Sequence, residues 1–231
     1  MNKTELIVAL DVPNISELKK TLDKIPNSVK WYKVGLELFI SEGYKVIELL
    51  KSMNKAVFLD LKLHDIPQTV ANAIKIAGDY NVDLLTVHGM GGRRMLEAAS
   101  DASLSCKISP KLVAVTTLTS LGKEDFKDLG VSRTISEQAI SLGELAISSG
   151  INGLVTSAHE AKKLSNKFPN AILVTPGIRL DNDNVDDQKR VATPKFAMDQ
   201  GATHLVVGRS ILKADDPSKI VDKILDQLNK K

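Results

Sequence analysis

A single cysteine, Cys106, in 231 residues means that the chain has no intrachain disulfide and no thiolate cluster for a metal. Long hydrophobic runs are also missing. The N-terminal stretch MNKTELIVALDV reaches Asp11 and Pro13 after a few apolar residues, too short for a signal h-region with its cleavage site or for a membrane span, so a cytoplasmic protein is expected. The net charge is only +3, and its basic residues are scattered; without a polybasic tract, neither nucleic acid nor an anionic membrane is an expected partner. No segment is rich enough in Pro, Gly or Ser to serve as an interdomain linker, and no low-complexity stretch interrupts the chain.

What remains is ordinary globular composition, 43% hydrophobic and 26% charged, long enough to bury one large core. Short apolar runs, usually rich in β-branched residues, recur along the chain, each followed by a polar or glycine-containing turn and then a segment of helical periodicity. They are Leu6–Leu10, Trp31–Gly35, Ala56–Leu61, Leu84–Val87, Leu112–Val115, Gly153–Val155, Ile172–Val174 and Leu205–Val207. Near-continuous apolar strands imply burial on both faces, and eight of them alternating with helices predict a closed (β/α)₈ TIM barrel in one domain over 1–231. The helices carry their own signals. Val70, Ile74 and Ala77 keep helical spacing behind Pro67, as do Ile220, Val221, Ile224, Leu225 and Leu228 behind Asp216 and Pro217, which read as N-cap and first helical position. Residues 121–133 are less regular and read as an extended loop with a short helix.

Such barrels place their chemistry at the C-terminal ends of the strands. Polar residues do end these runs: Asp11, Lys33, Asp60 with Lys62, His88, Thr116 and Thr117, Thr156 with Ser157, Thr175, and Gly208 with Arg209. Strands commonly stop at polar groups, so one such residue carries little weight. Asp60 and Lys62 are different. Two apart on a strand, they share a face, while Leu59 and Leu61 take the helix-covered outside. Both charges then enter the barrel mouth, either as a working pair or as an ion pair that plugs the barrel. Asp65 has a plainer reading as a helix-start residue near Pro67. His64 and His88 read as structural rather than as metal ligands, with His88 ordering the turn at Gly89.

The stretch Asp60–Thr69, DLKLHDIPQT, resembles the Asp-x-Lys-x-x-Asp-Ile-Pro-x-Thr signature of the orotidine 5'-phosphate decarboxylase family. Further matches span nearly the whole chain: Ala9-Leu10-Asp11, Lys33-Val34-Gly35, Leu118-Thr119-Ser120, Thr175-Pro176-Gly177-Ile178-Arg179 and Val207-Gly208-Arg209-Ser210. The resemblance implies decarboxylation of orotidine 5'-monophosphate to UMP and CO₂, with no cofactor and no metal. It implies that Lys62, between Asp60 and Asp65, stabilises and protonates the carbanion, and that Lys33 completes an alternating Lys-Asp-Lys-Asp array. Asp11, Lys33 and Thr69 would contact the ribose, and Thr119 or Ser120 the base. Arg179, Gly208 and Arg209 would hold the phosphate, and Gln188, in a polar loop over 180–190, would bridge phosphate and base. It further implies a homodimer with shared sites, Asp65 and Thr69 reaching into the partner's barrel mouth. Two other readings stay open: a metal-dependent sugar-phosphate decarboxylase or aldolase on the same barrel, and a barrel that binds a nucleotide without catalysis.

Overall fold

The computed structural model describes residues 4–180 and 191–229. Eight parallel strands close into a barrel in sequence order: β1 (Glu5–Ala9), β2 (Trp31–Val34), β3 (Ala56–Leu63), β4 (Leu84–His88), β5 (Lys111–Val115), β6 (Gly153–Val155), β7 (Ile172–Thr175) and β8 (His204–Val207), with β8 pairing back onto β1. All eight expected runs are strands, with ends displaced by at most two residues. Among the described residues, no helix is long and apolar enough to cross a membrane.

Side-chain alternation divides the core in two. Leu6 and Val8, Tyr32 and Val34, Val57 and Leu59, and Leu85 and Val87 face outward and pack with the helices in one continuous apolar layer. The intervening residues Ile7, Ala9, Phe58, Leu84, Val113, Val174 and Val206 form a second cluster that fills the barrel. The helices match their sequence signals. Pro67–Asp79 has its proline in the first turn and buries Val70, Ile74 and Ala77. Pro217–Asn229 buries Val221, Ile224 and Leu228, and the Asp216 carboxylate accepts a hydrogen bond from the Lys219 N–H at 3.1 Å, as an N-cap does. Within 121–133, Lys123–Asp128 is a short helix.

At the opposite end from the candidate site, the Trp31 and His204 rings meet edge to face, 5.4 Å between centroids, where β2 and β8 begin. Burial lowers the His204 pKa from 6.5 to about 4. Between those values the unfolded chain binds a proton that the folded chain refuses, so this residue's contribution to stability is whole above about pH 6.5 and drains away as pH falls toward 4. Urea unfolding at about pH 7 and about pH 4.5 should therefore show His204→Phe losing roughly 2–3 kcal/mol less than the parent chain over that interval. Equal losses in the two proteins would mean that His204 is not the titrating group.

Candidate active site

The alternation that fills the barrel also builds the site above it. Going up the inward face of β1, Ile7 and Ala9 give way to Asp11; on β2, Trp31 gives way to Lys33; on β3, Phe58 gives way to Asp60. The apolar plug thus becomes the floor of a cavity whose wall is charged. Asp11, Lys33, Asp60 and Lys62 line one side, Thr117, Thr119 and Thr156 another, and Arg179, Gly208 and Arg209 the rim.

The four charged residues form one chain of alternating sign. Lys33 Nζ lies 3.0 Å from Asp11 Oδ1 and 3.9 Å from Asp60 Oδ2, and Lys62 Nζ lies 2.9 Å from Asp60 Oδ1. Lys33 and Asp60 are largely shielded, with side chains 12% and 15% exposed, which strengthens the attraction between them relative to a surface pair. Two glycines make room. A Cβ on Gly35 would stand 2.8 Å from Lys33 Nζ, and one on Gly208 would stand 3.3 Å from both Ala9 Cβ and Asp11 Oδ2. A Cβ at Gly35 would require the Lys33 ammonium to shift from its place in the array.

Lys62 reaches the cavity by an irregular route. Leu59 pairs with Leu85 but Leu63 pairs with Val87, so β3 spends four residues where β4 spends two. Inside this bulge Lys62 has φ 53, a left-handed conformation that costs a non-glycine residue about 1–3 kcal/mol. Its N–H leaves the ladder and donates to the Thr86 hydroxyl at 2.7 Å. The expectation that Asp60 and Lys62 share the barrel mouth holds, and Leu59 and Leu61 pack on the outer layer. The regular pleat assumed for it does not extend to Lys62.

His88, at the end of β4, is the turn residue its sequence position suggested: its Nδ1 accepts the Met90 N–H at 3.2 Å. Its ring also stacks on His64, 5.1 Å between centroids. Burial first, then the neighbouring His64 and Lys62, lower the His88 pKa below its usual value, which suits the unprotonated Nδ1 that this hydrogen bond requires.

A family model described as orotidine 5'-phosphate decarboxylase / HUMPS family matches residues 4–224. A protein named orotidine 5'-phosphate decarboxylase from Prochlorococcus marinus is 43% identical, over 99% of this chain and 97% of its own length. One of the same name from Bacillus pumilus is 44% identical, over 96% of this chain and 97% of its own length. This chain belongs to the orotidine 5'-phosphate decarboxylase / HUMPS family. The crystal structure of orotidine 5'-phosphate decarboxylase from Lactobacillus acidophilus shares its fold, with a TM-score of 0.86 at 37% identity, covering 98% of this chain and 100% of that one.

Against the family signature, the structure gathers some of the expected residues and separates others. Asp60 and Lys62 are in the cavity, with Lys33, Asp11, Thr119, Arg179, Gly208 and Arg209. Between the two hydroxyl candidates for the base, Thr119 lines the cavity while Ser120 is exposed outside it. Asp65 and Thr69 do not line the cavity of their own chain. Asp65 is exposed and accepts the Ile66 N–H at 2.6 Å, which ties it to the start of the helix Pro67–Asp79. The array within one chain therefore runs Asp11–Lys33–Asp60–Lys62, with Asp11 as its second acid in place of Asp65. Gln188 lies outside the described residues. Sequence reasoning missed Thr86, whose signal was a lone hydroxyl at an inward position of the otherwise apolar run Leu84–Val87.

Proposed function

We propose that this chain decarboxylates orotidine 5'-monophosphate to UMP and CO₂ in pyrimidine biosynthesis, without cofactor or metal, as a cytoplasmic homodimer. The observation that carries this reading is the Asp11–Lys33–Asp60–Lys62 array at the barrel mouth of a member of this family. Loss of the carboxylate leaves an electron pair at C6 of the pyrimidine, in an orbital lying in the ring plane where the ring carbonyls cannot delocalise it. The barrier must then fall through a positive charge held where the anion develops.

Lys62 supplies that charge as its ammonium group and then gives C6 the proton that replaces CO₂. Asp60 holds the ammonium at 2.9 Å, and Lys33 steadies Asp60 from its other oxygen. Asp11 and Lys33 bind the ribose, and Thr119 the base. Arg179 and Arg209 meet the phosphate where the seventh and eighth βα loops converge, a common phosphate site in these barrels, with Gly208 leaving the backbone accessible. Binding at that remote phosphate orders the substrate against Lys62, so it raises kcat as well as affinity.

The second copy completes the site in this reading. Large apolar side chains stand exposed after three neighbouring strands: Leu36 and Ile40 after β2, Ile66 after β3 and Met90 after β4, with Ile40 79% and Ile66 67% exposed. Ile66 directly follows Asp65. Burying this rim against its two-fold copy would bring each chain's Asp65 and Thr69 toward the other's cavity.

The deciding assay follows the absorbance of orotidine monophosphate after adding chelator-treated protein. Turnover undiminished by chelation is expected. Activity on this substrate absent until a divalent metal is returned would overturn the metal-free reading, and binding of the nucleotide without turnover would leave a binding barrel.

A further inference from the structure

Thr86 is wholly buried on β4, one inward position above Leu84 of the barrel plug. Its hydroxyl accepts the Lys62 N–H at 2.7 Å and lies 3.2 Å from Asp60 Oδ1 and 3.5 Å from the Leu59 carbonyl oxygen. A hydroxyl has one proton to give. The nearer acceptor is an ionised carboxylate, so the proton goes to Asp60 in a charge-assisted bond. Asp60 Oδ1 in turn binds Lys62 Nζ, which closes a ring: Lys62 backbone N–H, Thr86 hydroxyl, Asp60 carboxylate, Lys62 ammonium.

We propose that Thr86 is a positioning residue for the decarboxylation, its hydroxyl fixing both ends of Lys62. The inference rests on the decarboxylase reading of this site. At one end the hydroxyl takes the N–H that the bulge removes from the ladder, which holds Lys62 in its left-handed conformation. At the other it fixes the carboxylate that aims the ammonium. Without it, the backbone of the bulge and the carboxylate lose a shared anchor, and Nζ is no longer held at one point above the substrate carbon. Thr86 does not line the cavity, so its effect falls on the chemical step rather than on the grip on the nucleotide. Displacement of a reacting group by about 1 Å can cost about 100-fold in rate.

The variants that test this are Thr86→Val, of the same shape without the hydroxyl, and Thr86→Ser, which keeps it. With orotidine monophosphate as substrate, Thr86→Val should lower kcat by about 100-fold. Calorimetric titration with UMP should find its affinity within about threefold of the parent, and Thr86→Ser should keep kcat within about fivefold, because the hydroxyl alone carries the effect. If Thr86→Val does not fold, Thr86→Cys, which lacks the γ-methyl and replaces the hydroxyl of the serine variant by a thiol with weaker hydrogen bonds, is compared with Thr86→Ser by the same criteria. The proposal is overturned if kcat of the hydroxyl-free variant stays within about threefold of the parent, if the serine variant is as slow as the valine one, or if UMP affinity falls in step with kcat. The parent chain, assayed alongside, reports separately on the decarboxylase reading: a parent that does not turn over the substrate defeats that reading, whereas an active parent with an equally active Thr86→Val defeats only this one.

Discussion

Lys62→Ala should abolish turnover of orotidine monophosphate while leaving the barrel folded. The side chain is one-third exposed and lines an open cavity, so its removal enlarges that cavity rather than leaving a void in the core. Alanine also remains compatible with the bulge at a cost no larger than that of lysine itself. The catalytic loss is another matter. A positioned general acid is worth about 10²–10⁴-fold, and an ammonium facing a developing carbanion in a shielded site adds an electrostatic share of comparable size. A fall in kcat of more than about 10⁴-fold is expected, with an unchanged far-UV spectrum and UMP still bound. Retention of activity within tenfold of the parent would remove Lys62 from the proton-donor role.

The second large effect tests whether the site is shared. In one chain Asp65 is tied to its own turn and does not line the cavity, so the two-fold assembly proposed above is what gives it a part in catalysis. Lys62→Ala and Asp65→Ala should each be nearly inactive alone. In a hybrid dimer one site collects both defects, while the other combines an intact Lys62 with an intact Asp65 from the opposite chain. Equal mixing with random reassociation makes half of the dimers hybrid, so about a quarter of all sites should recover. Activity should return after the two inactive proteins are dissociated and reassociated together. If subunit exchange is confirmed by size analysis and activity stays at the level of the separate variants, Asp65 acts within its own chain or not at all.

The barrel was legible because its signals are local and repeated. Each strand is an apolar run ended by a polar residue, each helix keeps its period, and closure follows from eight such units. The charged residues were legible for the same reason: Lys33 and Asp60 continue the inward face of their strands, and period two is enough to place them. Lys62 shows where that reasoning stops. It reaches the right place through a two-residue register shift and a positive φ, and nothing in Leu61-Lys62-Leu63 announces either, since no glycine or asparagine marks the turn. Thr86 escaped because a threonine within a strand is ordinary, and its role depends on contacts 24 and 26 residues away in sequence. For Asp65 the local reading as a helix-start residue describes what the single chain does, and the part in the site proposed for it rests on an assembly that no periodicity encodes.

Closure of the sheet has a further consequence for how copies of this chain can meet. Every strand of the barrel has a neighbour on both sides, from β1 through β8 and back, so among the described residues there is no exposed row of backbone N–H and C=O groups along an unpaired barrel edge. Strand addition, the route by which open sheets recruit more chain and run on into fibrils, is thereby closed off. Association has to be made by side chains of the helices and loops, through faces such as the one carrying Ile40 and Ile66. In the proposed dimer such a contact could be separated and remade without breaking a ladder hydrogen bond, so the copies would trade partners with each barrel intact.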